Sequence, residues 1–175
     1  MKNLILCKSF YNDIEQLSTL ISSLEYIDCL HGKTIEDFQY VPDQTTDMLS
    51  YMLREHIEIQ PDTGTFIKPN TLVHFDNFYQ HTLWTCIVAL EDTTIKLHKH
   101  ESGMASFFDF PEDMNKDQFF IDNCMNMDKW QTVASINIEK NDYVFVRPWL
   151  WKSFEEDKLI QKFMLNHKLE KESKE

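Results

Sequence analysis

From residue 65 onward, the chain consists of short segments rich in aromatic and β-branched residues, and polar turns separate these segments. Residues of these types favour β-strands, and turns at this spacing are typical of antiparallel β-proteins. Helical patterns are scarce between the segments, which counts against a parallel sheet built from βαβ units. The sequence therefore predicts a mainly β fold of the sandwich, barrel or jelly-roll type. The predicted strands are 71–75, 83–90, 94–98, 105–110, 132–138, 143–146 and 159–165.

The first 62 residues carry two helical patterns. Asn12 and Glu15 form a capping-box pair, and the apolar residues that follow them at helical spacing predict a helix over 13–26. A second run of apolar residues with this spacing lies between Thr45 and Ile57. We therefore expect two supporting helices before the β-rich part. The predicted organisation is a single domain over 1–167, with helical N-terminal support in 1–62, the barrel in 63–167 and a charged tail in 168–175.

Charge and composition exclude several classes of protein. The formal net charge of −12 opposes binding to nucleic-acid backbones and to anionic lipid. No apolar run approaches the roughly 18 residues of a membrane-spanning helix, so we expect a soluble protein with neither nucleic acid nor membrane as partner. The four cysteines form no C-x-x-C pair, which disfavours a zinc site and a disulfide framework. A cytoplasmic protein with reduced thiols is the expectation.

The tripeptide His74-Phe75-Asp76 is the main chemical signal. It lies at the end of a predicted strand, where residues two apart point to the same face, so the imidazole and the carboxylate can converge. These are two of the three ligands in the 2-His-1-carboxylate triad that holds ferrous iron. A hydrogen bond at a strand end would use the same two side chains, and the tripeptide alone leaves both interpretations open.

The segments around this tripeptide resemble, one after another, the bacterial and phage relatives of the iron/2-oxoglutarate oxygenases. The resemblance covers about residues 65–166 and rests on the segments 66–70, 73–76, 84–90, 97–103 and 141–161. It implies a double-stranded β-helix, of the jelly-roll or cupin-like type, in which His74 and Asp76 are metal ligands. The implied cofactors are Fe(II) and 2-oxoglutarate, and the implied activity is that of a dioxygenase that hydroxylates its substrate.

Two positions depart from the pattern of these relatives. Where the second ligand histidine is expected, this chain has Lys152, and the basic residue for the 2-oxoglutarate carboxylate falls at Lys158 or Lys162. A lysine can bind a metal only as the neutral amine, and removing its proton at pH 7 costs about 4–5 kcal/mol. Lysine is also a poorer carboxylate clamp than the bidentate arginine. The resemblance therefore implies a degenerate triad with impaired or lost metal binding.

Two other histidines are alternative ligands. His98 and His100 lie two apart on a predicted strand and share one face, at a distance from His74 compatible with a neighbouring strand. His31, by contrast, lies outside the segments that resemble the oxygenases, and we expect it on the surface.

Three functional hypotheses remain open. The first is an oxygenase that binds Fe(II) and 2-oxoglutarate and acts on a small molecule or a protein. The second is a pseudoenzyme, a non-catalytic β-helix scaffold that binds a protein partner or joins a larger assembly, as a phage structural protein would. The third is a cupin-like binder of a small molecule. If the protein is phage-encoded, the host cytoplasm or the virion is its expected location.

Overall fold

The computed structural model describes residues 2–36 and 38–168. Strands account for 37% of the chain and helices for 19%. Each pairing described between the strands is antiparallel. The prediction of a mainly β protein with antiparallel sheets is thus confirmed.

The described residues contain eleven strands in two sheets. In chain order they are β1 (Leu4–Cys7), β2 (Ile27–Cys29), β3 (Gly32–Thr34), β4 (Ile57–Ile59), β5 (Thr65–Pro69), β6 (Thr82–Ala89), β7 (Thr93–His100), β8 (Trp130–Ile138), β9 (Tyr143–Val146), β10 (Lys152–Phe154) and β11 (Ile160–His167). The larger sheet has the order β1-β9-β6-β11-β5-β3-β2, and β4 pairs with the end of β11. The smaller sheet has the order β10-β7-β8.

Three helices accompany the sheets: α1 (Ile14–Ser22), α2 (Thr45–Leu53) and α3 (Lys116–Asn123). The first two correspond to the predicted supporting helices, although α1 is shorter than 13–26. Its N-cap is Asp13, whose carboxylate accepts a hydrogen bond from the Gln16 N–H, so the predicted cap Asn12 is one residue too early. The apolar run predicted as part of the second helix continues past its end, and Ile57 pairs instead with β11.

The larger sheet separates two apolar cores. Along β6, Cys86 and Val88 pack on the side that contains α1 and α2, while Ile87 and Ala89 face the smaller sheet. This alternation follows from the period of two along a strand. Between the two sheets, residues of β5, β6, β9 and β11 pack against Ile95 of β7 and other residues of the smaller sheet.

Two segments predicted as strands are not strands. The backbone of 71–75 forms hydrogen bonds to two separate parts of the chain, near Cys124 and Lys152, so it makes one isolated bridge and no ladder. The segment 105–110 contains a 3₁₀ turn over Phe107–Asp109, because Ser106 and Asp109 cap it reciprocally.

The first 62 residues contribute more than helical support. Strands β1, β2, β3 and β4 all come from this region and extend the larger sheet. Residues 111–126 contain α3, whose Phe119 is buried in a third, aromatic core with Trp130 and Trp151. Of the predicted charged tail, residues 169–175 lie outside the described residues. No helix in the described part of the chain is long and apolar enough to cross a membrane.

Candidate functional site

The backbone around His74 holds the H-x-D tripeptide against the beginning of β10. His74 and Lys152 exchange two backbone hydrogen bonds, of 2.9 and 2.8 Å, and the Asp76 N–H donates to the Pro148 carbonyl at 2.9 Å. The side chains of His74 and Asp76 are buried, with 7% and 6% of their surface exposed. The structure therefore brings together the imidazole and the carboxylate as the tripeptide predicts, although their role as metal ligands stays a prediction.

Two ammonium groups and a hydroxyl group bind the Asp76 carboxylate. Lys152 Nζ lies 2.9 Å from Oδ2, and Lys162 Nζ lies 2.6 Å from Oδ1. The Thr85 hydroxyl donates to Oδ2 at 2.8 Å. Lys152 also donates to the Pro148 carbonyl at 3.2 Å, and none of its surface is exposed. We call Asp76, Lys152 and Lys162 the Asp76 cluster; with both lysines protonated it carries a net charge of +1.

The strand geometry explains which lysine reaches Asp76. Lys162 lies on β11 and its side chain points to the same face as that of Ile160, into the space between the sheets. Lys158 lies before the strand begins, in the turn where its N–H donates to the Glu155 carbonyl. Of the two lysines predicted for the 2-oxoglutarate carboxylate, the structure brings Lys162 to the site and leaves Lys158 in the turn.

The two lysines determine the ionisation of Asp76. Burial alone raises the pKa of a carboxyl group, but Lys152 and Lys162 outweigh this effect and hold the pKa of Asp76 well below its ordinary value. Burial also lowers the pKa of Lys152, and the Asp76 carboxylate opposes that effect. Asp76 is therefore an anion whose two carboxylate oxygens are already paired with cations.

His74 keeps one ring nitrogen without a partner. Its Nδ1 lies 3.0 Å from the Leu72 carbonyl oxygen, which can only accept, so Nδ1 carries the proton. The other nitrogen, Nε2, is buried and has no hydrogen-bond partner among the described residues; Asp76 Oδ1 is 3.8 Å away. Burial and the charge of Lys162 lower the pKa of His74 well below its ordinary value. The imidazole is therefore neutral, and Nε2 is a free acceptor.

A second histidine, His31, packs against His74. The two ring centroids are 4.7 Å apart, and His31 Nδ1 is also buried without a partner in the described part of the chain. Burial and the nearby Lys162 lower the pKa of His31 to about 4. His31, expected on the surface, is half-buried, because the β2–β3 hairpin folds onto the end of β5, where the Asn70 N–H donates to the His31 carbonyl.

A cavity of about 420 Å³ lies beside the two histidines. Its walls are mainly apolar, and three of the side chains around it are largely exposed, Leu30 at 75%, Ile121 at 76% and Met125 at 61%. The cavity therefore opens to solvent at an apolar rim, and His31 and His74 are among its lining residues. Its volume lies within the range of ordinary small-molecule sites.

The alternative ligands His98 and His100 lie elsewhere. His98 Nε2 is 2.7 Å from the Ser153 hydroxyl, and His100 Nε2 is 2.8 Å from the Asn123 side-chain oxygen. Both histidines are buried in the smaller sheet. Among the described residues, neither forms a hydrogen bond or an ion pair with Asp76. The structure therefore does not bring them to the predicted metal site.

The residues at Asp76 do not fit Fe(II). The Lys152 ammonium group lies 2.9 Å from Asp76 Oδ2, and an ammonium group cannot coordinate an ion. That Lys152 occupies the position of the second ligand histidine stays a prediction. Residues 2–36 and 38–168 contain no group of three or more His, Cys, Asp or Glu side chains that could hold a metal. An ion bound at Asp76 would have to displace or deprotonate both lysines.

Comparison with known proteins adds no family assignment. No protein-family model matches the chain, and no curated protein matches it. The resemblance to the oxygenases therefore rests on the sequence segments and on the H-x-D tripeptide alone.

His31 and Thr85 were missed by the sequence analysis. His31 precedes Asp76 by 45 positions and Thr85 follows it by nine. Neither separation corresponds to a sequence pattern that indicates a shared site. Only the path of the hairpin and the pairing of β6 with β11 bring them near His74 and Asp76.

Proposed function

We propose that this protein is a metal-independent binding protein built on a double-stranded β-helix of the oxygenase type, and that it has lost iron-dependent hydroxylation. The observation that supports this proposal is the pair of ion pairs from Lys152 and Lys162 to the two oxygens of Asp76. A carboxylate with both oxygens engaged by ammonium groups is a poor ligand for a further cation.

The charges of the cluster support the same conclusion. A divalent ion and one carboxylate carry a net charge of +1, and so do two ammonium groups and one carboxylate. Lys152 and Lys162 thus supply the positive charge that an ion would otherwise bring to Asp76. Retaining the lysines and adding an ion would place four positive charges around one carboxylate, in a buried site where such repulsion is weakly screened.

The cavity beside His31 and His74 favours binding of a small molecule. It has the volume of a ligand site, an apolar lining and an opening to solvent, and His31 and His74 are among its lining residues. A scaffold that only presents its outer surface to a protein does not need such a cavity. Among the non-catalytic hypotheses, the geometry therefore supports small-molecule binding best.

A metal titration tests the proposal. Fe(II) is added to the protein without oxygen, and binding is measured by isothermal titration calorimetry with and without 2-oxoglutarate. We expect no stoichiometric binding to the wild-type protein. We expect Lys152→His to raise metal affinity by at least about tenfold, because it replaces an ammonium group with a third neutral or anionic ligand. Lys99→His is the matched control, since Lys99 is exposed on β7 away from Asp76.

Three outcomes would contradict the proposal. Stoichiometric Fe(II) binding by the wild-type protein, with succinate formed from 2-oxoglutarate and lost in His74→Ala, would make the protein a working oxygenase. Equal metal affinity in Lys152→His and Lys99→His would remove the argument that Lys152 occupies a ligand position. Co-purification of a stoichiometric protein partner that covers the cavity rim would favour the scaffold over a small-molecule binder.

A further inference from the structure

One edge of the smaller sheet is long and uncovered. Strand β8 lies at the end of the order β10-β7-β8. Among residues 2–36 and 38–168, no backbone-to-backbone hydrogen bond joins 131–138 to any element other than β7. In an antiparallel pair, every second residue directs its N–H and C=O groups away from the partner strand. The outer side of β8 therefore presents a row of backbone donors and acceptors to solvent.

The sequence of β8 gives this edge little of the usual protection. Natural sheets protect an edge with a short strand, a charged side chain, a proline or a bulge. β8 has nine residues, none of them charged and none a proline. By contrast, the edge strands of the larger sheet, β1 and β2, have four and three residues. The register with β7 skips Val133, and this bulge leaves Ala134–Ile138 as a regular ladder. This part of β8 can accept another strand.

The charges around β8 favour a second copy of this acidic chain as that strand's source. Two copies with a net charge of −12 repel each other where their carboxylates meet. Neither β8 nor the adjacent strand β7 contains an acidic residue, and the charged residues of β7 are Lys96 and Lys99, both exposed. A basic partner would therefore find no carboxylate on either strand, whereas an acidic partner would meet two ammonium groups.

We propose that the protein forms a weak homodimer by antiparallel pairing of β8 with β8 of a second copy, about a two-fold axis at Ile136. The two three-stranded sheets then form one continuous sheet. In this register Ser135 lies opposite Asn137 of the second copy, and both side chains are exposed and polar. Ile136, half-buried beside the core between the sheets, packs against its symmetry mate. The dimer goes beyond the proposed binding function and does not depend on it.

Two measurements on the wild-type protein test the dimer and its location. A single pair of strands buries less than the roughly 1,200 Å² of a stable interface, so we expect a dissociation constant of about 10 to 100 μM by analytical ultracentrifugation. Amide hydrogen exchange is then compared at protein concentrations well above and well below this constant. Amides of 131–138 should exchange more slowly in the concentrated sample, because the pairing protects them. Amides of β1, a short edge strand, should exchange equally in both samples.

Two double variants test the register. Ser135→Glu with Asn137→Glu places carboxylates opposite one another across the two-fold axis, and Ser135→Lys with Asn137→Lys places ammonium groups there. Each variant alone should dimerise about tenfold more weakly than the wild-type protein, whereas a mixture of the two should form a heterodimer. Gln16→Glu with Thr19→Glu adds the same charge at exposed positions of α1, beyond the larger sheet, and should dimerise like the wild-type protein. Circular dichroism verifies that each variant is folded.

Several results would overturn the proposal. A wild-type protein that stays monomeric at about 1 mM would exclude the homodimer, even if β8 paired with a strand of a different protein. A dimer in which the amides of 131–138 gain no protection would have its interface elsewhere. Unchanged dimerisation of the Glu variant, or a mixture of the Glu and Lys variants that stays monomeric, would contradict the pairing of Ser135 with Asn137 of the second copy. The metal titration is a separate measurement, so each of these results leaves the proposal of metal independence standing.

Discussion

Two networks of buried polar side chains meet at β10, and they differ in charge. Neighbouring residues on a strand point to opposite faces, so Lys152 extends to Asp76 while Ser153 extends to His98. The network at Asp76 is ionic. The network at His98 is neutral, since burial and Lys96 lower the pKa of His98 to about 4.

The two networks also differ in how completely their histidines are paired. Both ring nitrogens of His98 have hydroxyl partners, Ser153 at 2.7 Å and Thr132 at 3.4 Å. In the network at Asp76, His74 and His31 each keep a buried nitrogen with no partner in the described residues. A buried histidine with both nitrogens paired is explained by stability alone, because its polar atoms are satisfied within the fold. The two unpaired nitrogens are unsatisfied polar atoms within the fold, and stability alone does not explain them.

The largest expected effect concerns the ionic network. Asp76→Asn leaves the buried Lys152 and the largely buried Lys162 ammonium groups without a counter-ion, and removal of one partner from a buried ion pair costs about 3–5 kcal/mol. We expect a loss of this size in the free energy of unfolding, measured by urea denaturation. The additional substitution Lys152→Met should recover part of the loss, because it removes one of the two unpaired charges.

Asp142→Asn is the matched control for this prediction. The Asp142 carboxylate is also buried, but its ion-pair partner Lys8 is 67% exposed and can return to water. We expect a loss of about 1 kcal/mol or less for this variant. Equal losses in Asp76→Asn and Asp142→Asn would mean that the buried ion pairs of the Asp76 cluster contribute no more to stability than a partly exposed ion pair. The proposed difference between the ionic and the neutral network would then be wrong.

The second prediction compares the same substitution in both networks. His98→Phe removes the partner of the buried Ser153 hydroxyl, and we expect it to lower the free energy of unfolding by about 1–3 kcal/mol. His74→Phe removes a nitrogen that has no partner along with one hydrogen bond to the Leu72 carbonyl. These effects oppose each other, so we expect a change within about 1 kcal/mol. Urea denaturation of both variants measures the difference.

A loss in His74→Phe as large as that in His98→Phe would contradict the distinction between the two histidines. It would mean that His74 Nε2 is satisfied in the folded protein, for instance by a water molecule or by the Lys162 ammonium group. Thr132 is exposed and can bind water after the His98 substitution, so the expected loss arises from Ser153 alone.

The sequence could predict the long strands because their apolar periodicity and turn residues agree with the final packing. The predicted range 143–146 coincides with β9, and 83–90 differs from β6 by one residue at each end. The short strands β2, β3 and β4 have three residues each, too few for a period of two to appear. Their pairing depends on contacts distant in sequence.

The candidate site could be predicted where neighbouring residues carry the signal. The spacing of His74 and Asp76 is local, and Lys152 followed from the resemblance of its segment to the oxygenases. Lys162 could not be distinguished from Lys158, because the choice depends on where β11 begins. His31 could not be found at all, since its position follows from the hairpin pairing of β3 with β5.

The third prediction concerns the dependence of stability on pH, which both networks should share. In the folded protein the pKa values of His31 and His98 are about 4, against an ordinary value of 6.5. Between these values the unfolded chain binds more protons than the folded chain, so each histidine makes stability fall as the pH drops from 6.5 towards 4. Thermal unfolding temperatures across this range measure the slope.

Variants distinguish the contribution of these histidines to the pH dependence from that of the acidic residues. The net charge of the protein, −12 at pH 7, also changes in this pH range. His31→Gln and His98→Phe should each flatten the slope relative to the wild-type protein, whereas His56→Gln, at an exposed position, should leave it unchanged. A steeper slope in His31→Gln would mean that His31 is protonated in the folded state and stabilised by Asp76. The positive charges of Lys152 and Lys162 would then not determine the protonation of His31. The distinction between the network at His98, with paired histidine nitrogens, and the network at Asp76, with unpaired ones, would no longer have a physical basis.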